Sequence, residues 1–292
     1  MIFSVKSLSQ DAMEACRYRI DHLTKPHHSL AQLESMAERL AGVLDDPKPG
    51  QVPFAMLVIG GEEALDEEQS FLVYEKFQKI IAPTKASAKL VGAPVMLLNV
   101  GDEKMEVELV EEYLETGRSI AMQLQEQGIR VLGLGNIPSK AEEACYFLVD
   151  MVLEKGALEL EAWLEQLGET TPLLVTLVGV ILGAAELRMG VFFDNEVTGL
   201  AAVLATAYVP MVKEYLFASV HYGTEVQAKE LQYLSKEAPL HFGFTWAAGL
   251  GSSMGLSTLR AALHMLNDMK TFEEAGVTVA EDGPGSSLNN KE

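Results

Sequence analysis

With 292 residues, 48% of them hydrophobic, the chain can bury a substantial core as one large domain or two smaller ones. Its 22 basic against 42 acidic side chains leave a formal charge of -20, which sets it against nucleic acid, anionic membrane and unshielded polyphosphate partners. Two cysteines, Cys16 and Cys145, are too few and too far apart for a disulfide framework or a zinc cluster, so a reducing cytoplasm is the expected setting.

The opening MIFSVKSLSQ lacks the apolar run of about seven residues that a leader needs, and none is expected. Residues 11–45 carry two helical patterns separated by LTKPHHSL. Pro26 breaks the period; Ser29 is expected to cap the next helix, with Gln32 completing a capping box. Leu30, Leu33, Met36, Ala37, Leu40 and Val43 then share one face. DDPKPG at 45–50 reads as a linker.

Residues 54–59 (FAMLVI), closed by Gly60 and Gly61, have the profile of a buried parallel strand, and 94–100 (PVMLLNV), closed by Gly101, that of a second. Residues 68–81 between them are helical, 103–127 form a charged amphipathic helix, and 128–134 (GIRVLGL) are a third strand leading into Gly135 and Asn136. This cadence predicts an α/β fold with a mostly parallel sheet, whose ligands bind beyond the carboxyl ends of the strands. The apolar run 173–185 stops at Glu186, well short of the about 20 residues a membrane span requires, and reads as a core helix. A strand at 189–193 ends at Asp194; an apolar helix at 199–209, a strand at 215–220 and a helix at 261–272 follow, and EDGPGSSLNNKE is expected to fray.

Residues 242–263 (FGFTWAAGLGSSMGLSTLRAAL) join a glycine-rich loop to an amphipathic helix, yet contain no Asp, Glu, His, Cys or Lys. Such a loop either binds passively or serves packing alone. Gly133 to Ser139 form a strand–loop–helix transition, the layout that lets backbone N–H groups hold phosphate, although Ser139 with Glu142 fits a capping box and Glu142 and Glu143 would use up the helix dipole. Glu62 and Glu63 offer carboxylates after a strand, as general bases, as metal ligands or as a solvated acidic turn, and Asp194 is either a site acid or the N-cap of the next helix. His27 and His28 are adjacent and expected to diverge, and His221, His241 and His264 lack metal-site spacing, so no metal ligand is assigned. Nucleophile elbow, Walker loop and dinucleotide fingerprint are absent.

Four segments in order resemble the nicotinate-nucleotide:dimethylbenzimidazole phosphoribosyltransferase (CobT) family. IDHLTKPHHSLAQLE at 20–34 is similar to the family's LDNLTKPPGSLGRLE, MKTFEEAGV at 269–277 to MATFAEAGV, GVILGAAELRMGVFFD at 179–194 to GAILGAAAARVPVLLD, and 242–263 to RLGEGTGAALALPLLRAA. The resemblance implies a Rossmann-like, mostly parallel sheet flanked by helices, with a small domain of N- and C-terminal helices. The corresponding spans are 1–48 and 263–282 for the small domain, 49–262 for the large one and 283–292 for a tail. It also implies a dimer, no cofactor, and a reaction in which a base attacks C1 of nicotinate mononucleotide, nicotinate leaves and a glutamate takes the proton.

That glutamate falls on Ala248, so no catalytic residue is expected here. The phosphate loop GEMGIGNTT becomes RVLGLGNIP, keeping Gly133, Gly135 and Asn136 but placing Val131, Ile137 and Pro138 at its acid and threonines. Ser70 and Gln78 remain at base-pocket positions, and Asp194 and Glu225 are also kept. Losing a general base alone is worth about 10²–10⁴ in rate. The expectation is therefore a degenerate subunit supporting an active paralogue in a heterodimer, resembling the non-catalytic subunit of the branch that accepts phenol and p-cresol (ArsAB). Alternatives are a divergent active transferase using Glu62, Glu63 or Glu225 as a relocated base, and a binding protein for a nucleotide or cobamide precursor.

Overall fold

The computed structural model describes residues 2–64, 66–137, 140–244 and 248–277. In chain order, helices α1 (Gln10–Asp21) and α2 (Gln32–Leu44) precede strand β1 (Phe54–Gly60), helices α3 (Glu67–Ile80) and α4 (Ala82–Ala88), and strand β2 (Val95–Asn99). Helix α5 (Val107–Glu126) leads to β3 (Val131–Asn136), then to helices α6 (Lys140–Glu143), α7 (Phe147–Lys155), α8 (Leu160–Gly168) and α9 (Pro172–Glu186). Strand β4 (Gly190–Phe193), helix α10 (Glu196–Tyr208), strand β5 (Leu216–Ala218) and helices α11 (Glu225–Leu234), α12 (Leu250–Asp268) and α13 (Phe272–Ala275) complete the order.

The chain divides into two compact units, one of residues 1–6 and 53–256, the other of residues 7–52 and 257–292. The first contains a five-stranded sheet of order β2-β1-β3-β4-β5, parallel throughout. Every residue of β1 and β3 is buried, because in a parallel sheet clad on both faces a strand has no solvent side to mark with polar residues. Strand β2 is the half-exposed edge. Helix α9 is buried from Pro172 to Ala185, as its unbroken apolar run predicts. It meets α5 backbone to backbone, since a Cβ on Gly117 would lie 2.3 Å from the Thr176 carbonyl and one on Gly179 2.3 Å from that of Leu114. Trp163 of α8 closes this layer, donating from Nε1 to Leu204 O at 2.8 Å and stacking on Tyr208.

In the second unit α1 packs on α2, with Cys16, Ile20, Met36, Ala37, Leu40 and Val43 buried. Ser29 does not cap α2: Ala31 stands at the N-cap without a side-chain bond, and the Leu30 N–H donates instead to Glu34 Oε1 at 3.0 Å. A carboxylate one turn inside the helix thus replaces the expected capping box. Helix α12 begins at Leu250, eleven residues before the expected 261, because serines, glycines and one methionine dilute the apolar period of its first turns. It stops at Asp268, and a Thr271–Glu274 capping box starts α13 afresh. The tail 283–292 and part of span 263–282 lie outside the described residues, as does the Ser139 half of the capping box expected before α6. Among the described residues no helix is long and apolar enough to cross a membrane.

Candidate functional site

In a parallel sheet the strand order reverses at one point, and the flanking loops splay there to leave a crevice at the carboxyl ends. Here that point lies between β1 and β3, where Ile59 pairs with Asn136 and Ile137 N donates to Ile59 O at 2.8 Å. Gly133, Gly135 and Asn136 are not in a loop, as the sequence suggests; they are the buried end of β3. Gly135 serves close approach, because a Cβ there would sit 2.5 Å from Gly249 Cα. The glycine-rich stretch before α12 therefore rests directly on the strand end. Asn136 is fully buried, accepts from Asn195 Nδ2 at 2.8 Å and leaves its own Nδ2 without a partner.

The crevice side of β1 is apolar. Ala248, 2% exposed, packs in a cluster with Val58, Val73, Phe77, Ile81 and Ile137, joined at its margin by Ala64, Ile80, Val95 and Leu97. The Ala248 carbonyl is held by Thr84 Oγ1 at 2.7 Å, and the Phe77 ring fills the space over Gly60, where a Cβ would meet it at 2.2 Å. Ser70 lies on the exposed face of α3, and Gln78 accepts from Lys85 Nζ. Glu225, at the exposed start of α11, pairs with Lys229 at 2.9 Å, and Glu62 pairs with Lys76 at 2.5 Å. Side chains already answered by lysines on the surface are poorly placed to collect a proton in a crevice.

Asp194 does not cap α10. That task falls to Asn195 and Thr198 in a reciprocal capping box, and the Asp194 carboxylate turns the other way. It is buried, accepts from Tyr222 Oη at 2.8 Å, and faces the backbone N–H groups of Gly249 and Gly251 at the start of α12. Burial pushes its pKa up to about 7, while the tyrosine and the two amides pull the other way. Asp194 Oδ2 accepts nothing. The carboxylate occupies the positive end of a helix dipole, the place a ligand phosphate would take.

Sequence reading missed several partners. Asn99 clamps the turn after β1, accepting from Glu62 N at 3.0 Å and donating to Glu62 O at 2.9 Å. Gln227 ties the loop after β5, accepting from Tyr222 N and donating to Val220 O, each at 2.7 Å. Glu230 is buried between α11 and α10 with neither oxygen partnered, and its burial, with Glu196 of like charge, pushes its pKa well up. Asn, Gln and a lone Glu on a helix carry no motif, so no sequence signal marks them. The thiols of Cys16 and Cys145 are free and buried, with pKa values pushed up by burial to about 12 and about 11, outside the range of reactive thiolates. His27 and His28 correct an expectation: their rings do not diverge but meet edge to face with centroids 3.9 Å apart.

A fully parallel sheet with helices between its strands and a topological switch between β1 and β3 places the protein in the doubly wound α/β class, whose ligands bind at the carboxyl ends of the strands. A family model described as a phosphoribosyltransferase (DBI_PRT) matches residues 5–166 and 157–277. The chain therefore belongs to the nicotinate-nucleotide–dimethylbenzimidazole phosphoribosyltransferase family. Among its relatives, the nicotinate-nucleotide–dimethylbenzimidazole phosphoribosyltransferase of Desulforudis audaxviator is 27% identical, over 94% of this chain and 96% of its own. That of Alkaliphilus metalliredigens is 24% identical over 94% and 97%. The crystal structure of the Thermus thermophilus enzyme shares the fold, with a TM-score of 0.82 at 22% identity over 94% of this chain and 100% of that one.

Proposed function

We propose that this chain is a catalytically degenerate member of its family that supports an active paralogous subunit in a heterodimer. The paralogue joins nicotinate mononucleotide to a phenol, p-cresol or benzimidazole-type base, giving an α-riboside phosphate for the lower ligand of a cobamide and releasing nicotinate. The observation that carries the reading is Ala248. The position that the resemblance assigns to the proton-accepting glutamate is a methyl group sealed among Val58, Val73, Phe77, Ile81 and Ile137. Nothing in that cluster accepts a proton, and a charged base placed there would be strongly desolvated.

A further feature supports it. Helix α3 exposes Phe71, Leu72 and Tyr74, each more than half accessible, beside the half-exposed edge strand β2, an apolar face of the kind a partner subunit covers.

The test is turnover. The purified chain alone, incubated with nicotinate mononucleotide and a panel of phenolic and benzimidazole acceptors, is expected to release no nicotinate, while the product co-purified with its paralogue does. Release by the isolated chain overturns the proposal. A saturable calorimetric titration of nicotinate mononucleotide into the isolated chain, without release, would instead mark it as a binding protein.

A further inference from the structure

The loop between α1 and α2 brings three donor groups together in the second unit. One nitrogen from each of His27 and His28 and one oxygen of Asp21 all lie within 4.8 Å of one another. We infer that Asp21, His27 and His28 form a binding site for a single borderline divalent cation, zinc being the best match, with solvent completing the coordination. The donor set of two imidazoles and one carboxylate suits such a cation, and three protein ligands plus water is the open form of a tetrahedral site.

Geometry argues for a ligand site over a chance meeting of side chains. Donor atoms around tetrahedral zinc stand about 3.3 Å apart, given bonds of about 2.0–2.1 Å. His27 Nε2 is already 3.2 Å from Asp21 Oδ1. Oδ1 is shut off from water and receives no hydrogen bond of good geometry, so this buried carboxylate oxygen meets only the ring nitrogen and, more distantly, Arg17. A cation between them answers both. His28 Nδ1 stands 3.7 Å from Glu34 Oε2, but its side chain is 65% exposed, so it can turn to close the remaining gap and leave the fourth position open to water.

The backbone holds the pair in place at some cost. His28 has φ 57°, in the left-handed region, at the position where the similar family segment carries glycine, and His27 stands where that segment carries proline. The loop's ends are pinned independently of the histidines. Lys25 Nζ meets the buried Glu34 at 2.9 Å, Thr24 N donates to Lys270 O at 3.0 Å, and Ser29 N and Ala31 N close turns onto Pro26 O and His28 O. Arg17 lies 4.0 Å from Asp21 Oδ1 but reaches closer to Glu34, at 3.3 Å, and to Glu38, so three carboxylates face two cations around the loop.

The test uses the full chain without a polyhistidine tag, stripped with chelator and titrated with zinc chloride alone by calorimetry, then with cobalt chloride, whose visible absorption reports the donor set. One equivalent of zinc is expected to bind, with about tenfold or greater weakening in His27→Gln, Asp21→Asn and His28→Gly. His28→Gly is the informative variant, because glycine relieves the left-handed backbone: it is expected to lose the metal while melting no lower than the parent. Failure of the parent to bind zinc, or binding that survives in all three variants, overturns the site and leaves Asp21 and His27 as a simple ion pair.

Discussion

Asp194 is an acid whose environment, more than its residue type, sets its charge. Its pKa near 7 stands above the ordinary 3.8, so the folded chain holds this proton more tightly than the unfolded chain does. Its contribution to stability is therefore complete below about pH 4 and is lost as pH rises through about 7, the reverse of the usual paired carboxylate. Glu230 pulls in the same direction. In urea unfolding between pH 5 and 8, Asp194→Asn is expected to flatten the decline of the midpoint with pH, and an unchanged slope would refute this account. Sequence left Asp194 open between a site acid and an N-cap; Asn195 takes the cap, and only the return of α12 to the sheet supplies the amides that face Asp194.

At the scale of elements, capping separates what local sequence decides from what packing decides. Thr171 caps α9, its hydroxyl accepting from Leu174 N at 3.2 Å, and Asn195 caps α10, whereas Ser29 has the right residue type but stands two residues before the N-cap position, which Ala31 takes. Thr171→Ala is expected to cost about 1 kcal/mol in chemical denaturation and Ser29→Ala to fall within about 0.5 kcal/mol of the parent. Equal losses would mean that Ser29 caps in solution. The strands and the central helices α9 and α10 were legible because burial on every side leaves uninterrupted apolar runs. The first half of α12 was not, since its Gly251, Ser252, Ser253 and Gly255 are small for the sake of neighbours: a Cβ at Gly255 would lie 2.6 Å from Phe192.

At the scale of the molecule, the proposal of a heterodimer rests on a surface as well as on a lost base. If the exposed face of α3 is the contact, Phe71→Asp combined with Leu72→Asp should abolish co-purification with the paralogue in size-exclusion chromatography with light scattering. The circular dichroism and melting temperature of the isolated chain should stay near parental values, because neither residue belongs to the core. Persistent association in that double variant would move the interface elsewhere. A drop in melting temperature would show that these side chains support the fold.

Sequence by itself determined the α/β class, the parallel strands and the family, because hydrophobic periodicity and ordered motifs are local properties that survive without knowledge of contacts. It also placed an alanine where the family's glutamate is expected. Only the tertiary structure decided what surrounds that alanine, what the Asp194 carboxylate faces, and that two neighbouring histidines converge on Asp21. Those are relations between segments far apart in the chain or across a tight turn, set by packing and backbone angle, and no one-dimensional pattern encodes them.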